Sequence, residues 1–121
     1  MRFLVILLVG LAFPLNATAQ VEASKSAVEI VDWQWFKEPD FGTDGAVRWV
    51  VQVANVSRRP IYQAEVDFTS LDENGRAVAS DFDMVQRVAP GDTATIDTRA
   101  DLYGTEERAR VRISNVYYED R

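Results

Sequence analysis

Between Ala46 and Gly75 the chain carries two runs in which apolar and polar side chains alternate. Val47, Trp49, Val51 and Val53 recur at every second position, with Arg48 and Gln52 between them. Tyr62, Ala64, Val66 and Phe68 do the same against Gln63, Glu65, Asp67 and Thr69. A period of two sends successive side chains to opposite faces, so each run predicts a half-buried β-strand with one face toward a core. Ser57-Arg58-Arg59-Pro60 separates the runs, the proline ending pairing because it has no amide hydrogen to donate. Asp72-Glu73-Asn74-Gly75 closes the second run as a tight turn, with Asn-Gly expected to supply the positive backbone angles of a two-residue hairpin loop.

The rest of the chain reads as strands added to this pair. Val28 and Ile30 share one parity and Val31, Trp33 and Trp35 the other, so the apolar face switches near Ile30, which predicts a β-bulge or a strand that changes sheets. Lys37 to Gly45, with Pro39 and two glycines, reads as a loop. From Arg76 to Val88 the apolar residues Val78, Phe82, Met84 and Val88 share even parity, with Asp81 and Asp83 opposite, and the length of the run predicts a break near Ser80-Asp81. Ala89-Pro90-Gly91-Asp92 is a second turn, and Thr93 to Thr98 a short strand with Ala94 and Ile96 inward. Arg99 to Glu107 reads as a loop with room for one helical turn. Arg108 to Tyr118 is a closing strand, with Ala109, Val111 and Ile113 inside and Arg108, Arg110 and Arg112 outside. Six to seven strands at this spacing, with no amphipathic helical run, predict an all-β, immunoglobulin-like antiparallel β-sandwich, and a small barrel as the second architecture.

The first residues change the picture of where the chain resides. Arg2 precedes an apolar run from Phe3 to Phe13, and Ala17-Thr18-Ala19 offers small residues at a cleavage site. This is the pattern of a secretory signal peptide cut after Ala19. Pro14 and Asn16 stop the run short of the roughly 20 apolar residues a spanning helix needs. No cysteine follows for lipid attachment. The expected organisation is a signal peptide over 1–19, a flexible lead-in over 20–26 and one sandwich domain over 27–121. The mature chain is expected to be secreted or periplasmic, with no stable membrane insertion after cleavage.

Without residues 1–19, whose one charge is Arg2, 12 basic and 19 acidic residues remain, a net charge of −7. That excess disfavours nucleic acid and anionic membrane surfaces. With no cysteine, an exported domain of this length must be held by packing alone. With no histidine either, the commonest general base and the nitrogen and sulfur metal ligands are missing, so no cofactor, no metal and no catalytic residue is expected.

The stretch from Trp49 to Ile96 resembles the FxLYD-type domain, an immunoglobulin-like module of exported prokaryotic proteins. The matching features are a strand ending in Asn55, a following strand bearing the signature phenylalanine at Phe68, an acidic Asn-Gly turn with Asp72 in place, and the Pro90-Gly91-Asp92 turn. Ser70 and Leu71 stand where leucine and tyrosine are expected. The resemblance covers about half of the mature chain, and it implies fold and export without a mechanism.

Three groups of side chains are candidates for chemistry. Trp35, Phe36 and Phe41 would form an aromatic patch for a protein or glycan of the envelope if they face solvent; the competing reading has the tryptophans Trp33 and Trp35 plug the core and Phe36 cap its end. Arg108, Arg110 and Arg112 form a cationic ladder, either a basic stripe for an anionic partner or the cross-strand counterpart of Glu65 and Asp67. The pairs Asp81 with Asp83, Asp40 with Asp44 and Asp72 with Glu73 invite a calcium reading, but the six to eight converging oxygens of such a site cannot come from alternate residues of one strand. Asn55-Val56-Ser57 also matches a glycosylation sequon. The function expected is a non-catalytic binding or accessory module of the envelope. The alternatives are a small hydrolase using carboxylates and a structural subunit that polymerises by strand exchange.

Overall fold

The two alternating runs form the central strands of two different sheets. The computed structural model describes residues 20–120, and the expected signal peptide lies outside the described residues. In chain order the strands are β1 (Gln20–Glu22), β2 (Val28–Glu38), β3 (Ala46–Asn55), β4 (Ile61–Leu71), β5 (Ala77–Val88), β6 (Thr93–Asp101) and β7 (Arg108–Glu119). One sheet has the order β1-β7-β4-β5 and the other β2-β3-β6, with every pairing antiparallel. The described residues form an all-β, two-sheet sandwich of seven strands.

The inward faces meet as the alternation predicts. Trp49, Val51 and Val53 from β3 and Ala64, Val66 and Phe68 from β4 are fully buried, with Val85, Val88, Ile96 and Val116 around them. Each large apolar side chain removed from water contributes about 1.5–3 kcal/mol, which lets a domain without disulfides hold together. Trp35 and the half-buried Ala109, Val111 and Ile113 pack onto the edge of this core.

Bulges correct the alternation at several points. The register of β2 on β3 shifts between Ile30 and Asp32, where the parity switch predicted a bulge. In β4, Tyr62 is skipped in the pairing with β7, so Ile61 turns into the core and Tyr62 stays half-buried outside it. In β5 the shift falls at Val78, because Ser70 faces Ala79 and Leu71 faces Ala77. The strand then runs unbroken to Val88, without the break expected near Ser80-Asp81. Asp81 lies opposite the buried Phe68 and Asp83 opposite the buried Val66, so both acids sit on the inner face and Phe82, 59% exposed, faces out. This reverses the parity expected from Phe82 to Met84, since pairing with β4 sets the face, whereas Val88, after the positive φ of Arg87, faces the core as expected.

Other boundaries also move. The turn at 72–75 uses one left-handed residue, Gly75 at φ 81°, rather than two. Asp72 closes it by accepting the amides of Asn74 and Arg76 on its carboxylate, so Asn74 has no need of a positive angle. β2 runs on to Glu38 and β6 to Asp101, which shortens the two flanking loops, and no helical turn forms between Leu102 and Glu107. Residues 20–22, expected within a flexible lead-in, pair with Glu119 to Tyr117 of β7, and a 3-10 turn at Lys25–Ala27 carries the chain into the other sheet.

Asn55 ties the end of the sandwich opposite these loops. It is 1% exposed, its Nδ2 donates to the carbonyls of Arg59 and Val88 at 2.9 Å each, and its Oδ1 accepts the amide and hydroxyl of Ser57. Its amide is therefore fully used, and the sequon is closed to a glycan in the folded domain.

Candidate binding site

At the other end, the loop 39–45 folds against the outer face of the three-stranded sheet. Successive turns place it, with the Phe41 amide donating to the carbonyl of Glu38 and the Gly45 amide to that of Phe41. Gly45, at φ 85°, seats the loop tightly: a Cβ there would meet the Pro39 carbonyl oxygen and Leu102 Cδ2 at 3.0 Å. The loop leaves Phe41 49% exposed beside the outward side chains of β2, β3 and β6.

Alternation within those strands brings cations and acids together on that face. Arg48 donates from Nε to Asp97 Oδ1 at 2.8 Å and from Nη2 to Oδ2 at 2.6 Å, a two-pronged pair that matches the planar guanidinium to the carboxylate. Glu38 bridges the neighbours, with Oε1 accepting from Arg99 Nε at 2.7 Å and Oε2 lying 3.8 Å from Arg48 Nη1. The bonds from Arg48 hold the Asp97 carboxyl below its ordinary value, partial desolvation opposes them, and the charges of Arg48 and Arg99 add to them. The same bonds, and then the charge of Asp97, raise Arg48. The Arg99 guanidinium carbon stands 4.3 Å above the centre of the Phe41 ring, and Phe36, 39% exposed, lies opposite Arg48 in the register of β2 on β3. Phe36 and Phe41 thus flank one ionic network, a cation lying against the face of Phe41.

The structure divides the aromatic trio. Phe36 and Phe41 share the outer face, whereas Trp35 has the opposite parity and packs on Trp49 with ring centroids 6.2 Å apart. Its Nε1–H is buried and finds no acceptor among the described residues. Trp33 also faces inward, opposite the buried Val51, yet it is 40% exposed because it lies on an edge strand. It does not plug the core.

The arginine ladder lies on the outer face of the four-stranded sheet. Arg112 faces Asp67 in register and pairs with it at 3.1 Å, and Arg108 donates to the Glu73 carbonyl at 2.7 Å. Among the described residues Arg110 makes no ion pair. Glu65 is taken instead by Asn115 and Gln63.

Of the acidic residues considered for calcium, Asp72, Asp81 and Asp83 are engaged locally. The carboxylates of Asp81 and Asp83 accept the amides of Phe82 and Met84 at 2.8 and 2.7 Å. Among the described residues no group of three or more acids is placed to hold a metal ion, and no helix is long and apolar enough to cross a membrane.

Sequence reasoning missed Glu106, which is completely buried. Its carboxylate accepts the amides of Tyr103 and Gly104, and its carbonyl takes the Lys37 ammonium, so one acid shapes the loop beside the site. Nothing in the adjacent pair Glu106-Glu107 distinguishes the buried member. The Arg48–Asp97–Glu38–Arg99 network had a readable signal: Asp97 and Arg99 alternate, and extending β6 past Thr98 aligns them with Arg48.

No family model matches the chain, nor does any curated protein or solved structure.

Proposed function

We propose that the chain is an exported, non-catalytic binding module of the cell envelope, secreted or periplasmic, which contacts a protein or glycan partner through Phe36 and Phe41. The observation that carries this reading is the pair of phenylalanines left 39% and 49% exposed on one sheet face beside a fixed ionic network. Held rings bury apolar area at small entropic cost, whereas surface charges at net −7 attract weakly through salt. The FxLYD-type resemblance and the amino-terminal pattern support export, and the sandwich supports a scaffold that presents loops at its end.

Two measurements test the proposal. Mass spectrometry of the exported protein is expected to show a chain beginning at Gln20, and an intact Met1 on the exported species would remove the export reading. Retention of envelope components by wild type and by Phe36→Ala with Phe41→Ala, at low and high salt, tests the surface. The double variant is expected to lose the retained species at both salt concentrations. Strong salt dependence without an effect of the two substitutions would move the site to Arg108, Arg110 and Arg112.

A further inference from the structure

We infer that the outer edge of β7 from Arg108 to Asn115 is a strand-addition site for an extended segment of a partner protein, one that alternates acidic and apolar side chains. This surface is separate from Phe36 and Phe41, and the inference does not rest on that reading.

The edge is open through the topology. β1 covers only Tyr117 to Glu119, the Ala23 amide adds one bond to the carbonyl of Val116, and the chain then turns away into the other sheet. From Arg108 to Asn115, β7 is therefore paired only with β4 among the described residues. Alternate residues of such a strand direct their amide and carbonyl groups outward, and a row of unpaired groups about 27 Å long is a template for another strand.

The opposite edge of the same sheet is blocked. There the amides of Phe82 and Met84 are taken by the carboxylates of Asp81 and Asp83, acids that sit on the inner face. Inward acids and covered amides are how an edge strand resists pairing. Arg87, at φ 57°, kinks the end of that strand further. β7 carries no inward acid and no side chain bonded to its own amides between Arg108 and Ile113, and its one bulge, at Ser114, falls at the end of the open stretch.

The two faces of β7 specify the occupant. Its inner side chains Ala109, Val111 and Ile113 are only half-buried, and on the facing sheet the inward Trp33 remains 40% exposed. Apolar side chains of an added strand would extend the core beneath them. The outer side chains are Arg108, Arg110 and Arg112, so the alternate residues of the added strand meet cations and are matched by acids. Arg112 is already paired with Asp67 and Arg108 bonded to the Glu73 carbonyl, so Arg110, which makes no ion pair among the described residues, is the cation left for the segment, and the chain's more distant negative charge is screened beyond about 8–10 Å.

Two other occupants fit poorly. A second copy paired antiparallel through β7 about Arg110 would set Arg108 against Arg112 and Arg110 against itself, like charges directly opposite. Residues 1–19 contain no acid, and they join the domain at Gln20, which pairs with Glu119 at the far end of β7.

The test titrates the purified full-length protein, labelled with nitrogen-15, with a nine-residue peptide of alternating glutamate and valine and with its lysine–valine counterpart. Hydrogen exchange is expected to slow at alternate amides between Arg108 and Asn115 on addition of the glutamate peptide. The lysine peptide is expected to bind at least about tenfold more weakly, and Arg110→Glu to weaken the glutamate peptide by a similar factor. Circular dichroism of this exposed variant is the control that it stays folded. Absence of glutamate-peptide binding to folded protein, protection at β5 or β2 instead, equal binding of both peptides, or self-association through β7 would each overturn the inference.

Discussion

Trp49 and Phe68 stack across the two sheets, with ring centroids 5.0 Å apart and ring planes inclined at 32°. One comes from the centre of β3 and the other from the centre of β4, and neither is more than 2% exposed. Truncating either to alanine removes a large aromatic from a packed interior and is expected to cost about 3–5 kcal/mol. Because the rings touch, the double variant should lose less than the sum, by about 0.5–3 kcal/mol. Equilibrium denaturant titration of the three variants measures this, and a single loss below about 1 kcal/mol would take that ring out of the centre of the core.

Asn55 should matter as much as a core side chain. Asn55→Ala leaves the carbonyls of Arg59 and Val88 and the amide of Ser57 short of a partner, at an expected cost of about 3 kcal/mol. Asn55→Asp keeps the shape but turns an acceptor toward two carbonyls, and should be worse. Expression in a glycosylating host is expected to give folded protein with Asn55 unmodified by mass; a folded, glycosylated domain would contradict the knot.

The Arg48–Asp97 pair gives stability a pH dependence of known sign. The Asp97 carboxyl is held below its ordinary value in the folded domain, so its contribution is present above the unfolded value of about 4 and is lost as pH falls through the folded one. Carbon-detected NMR titration should place the Asp97 midpoint below that of a free aspartate. Arg48→Ala should bring it back up, and concentrated salt should narrow the difference because the pair is near the surface. An unchanged midpoint in Arg48→Ala would assign the shift elsewhere.

Trp35 should tolerate phenylalanine better than Trp49 does. Its indole N–H is buried without an acceptor, a state that costs roughly 1–3 kcal/mol, and Trp35→Phe removes the donor while keeping an aromatic against Trp49. Lost packing and the relieved donor are expected to offset each other to within about 1 kcal/mol in denaturant titration. A loss as large as that of Trp49→Ala would reveal a bond that Nε1 makes in solution.

Alternation by itself determined the strands, the turns and much of the core. Ala64 to Phe68 shows one apolar parity, Val47 to Val53 does so with Val50 as the one apolar residue on the other face, Pro60 ends pairing because it lacks an amide hydrogen, and the switch at Ile30 marks a bulge. What alternation cannot supply is the neighbour. Between Ala77 and Val88 both parities carry apolar residues, so pairing with β4, offset by the bulge at Val78, decided that Asp81 and Asp83 face in and Phe82 faces out. Trp33 has core parity but stands on an edge strand, and Glu106 is buried only because the loop amides of Tyr103 and Gly104 close over it. Which of Trp35, Phe36 and Phe41 meet solvent was settled in the same way, since parity within a strand is local whereas the surface that covers it comes from elements distant in the chain.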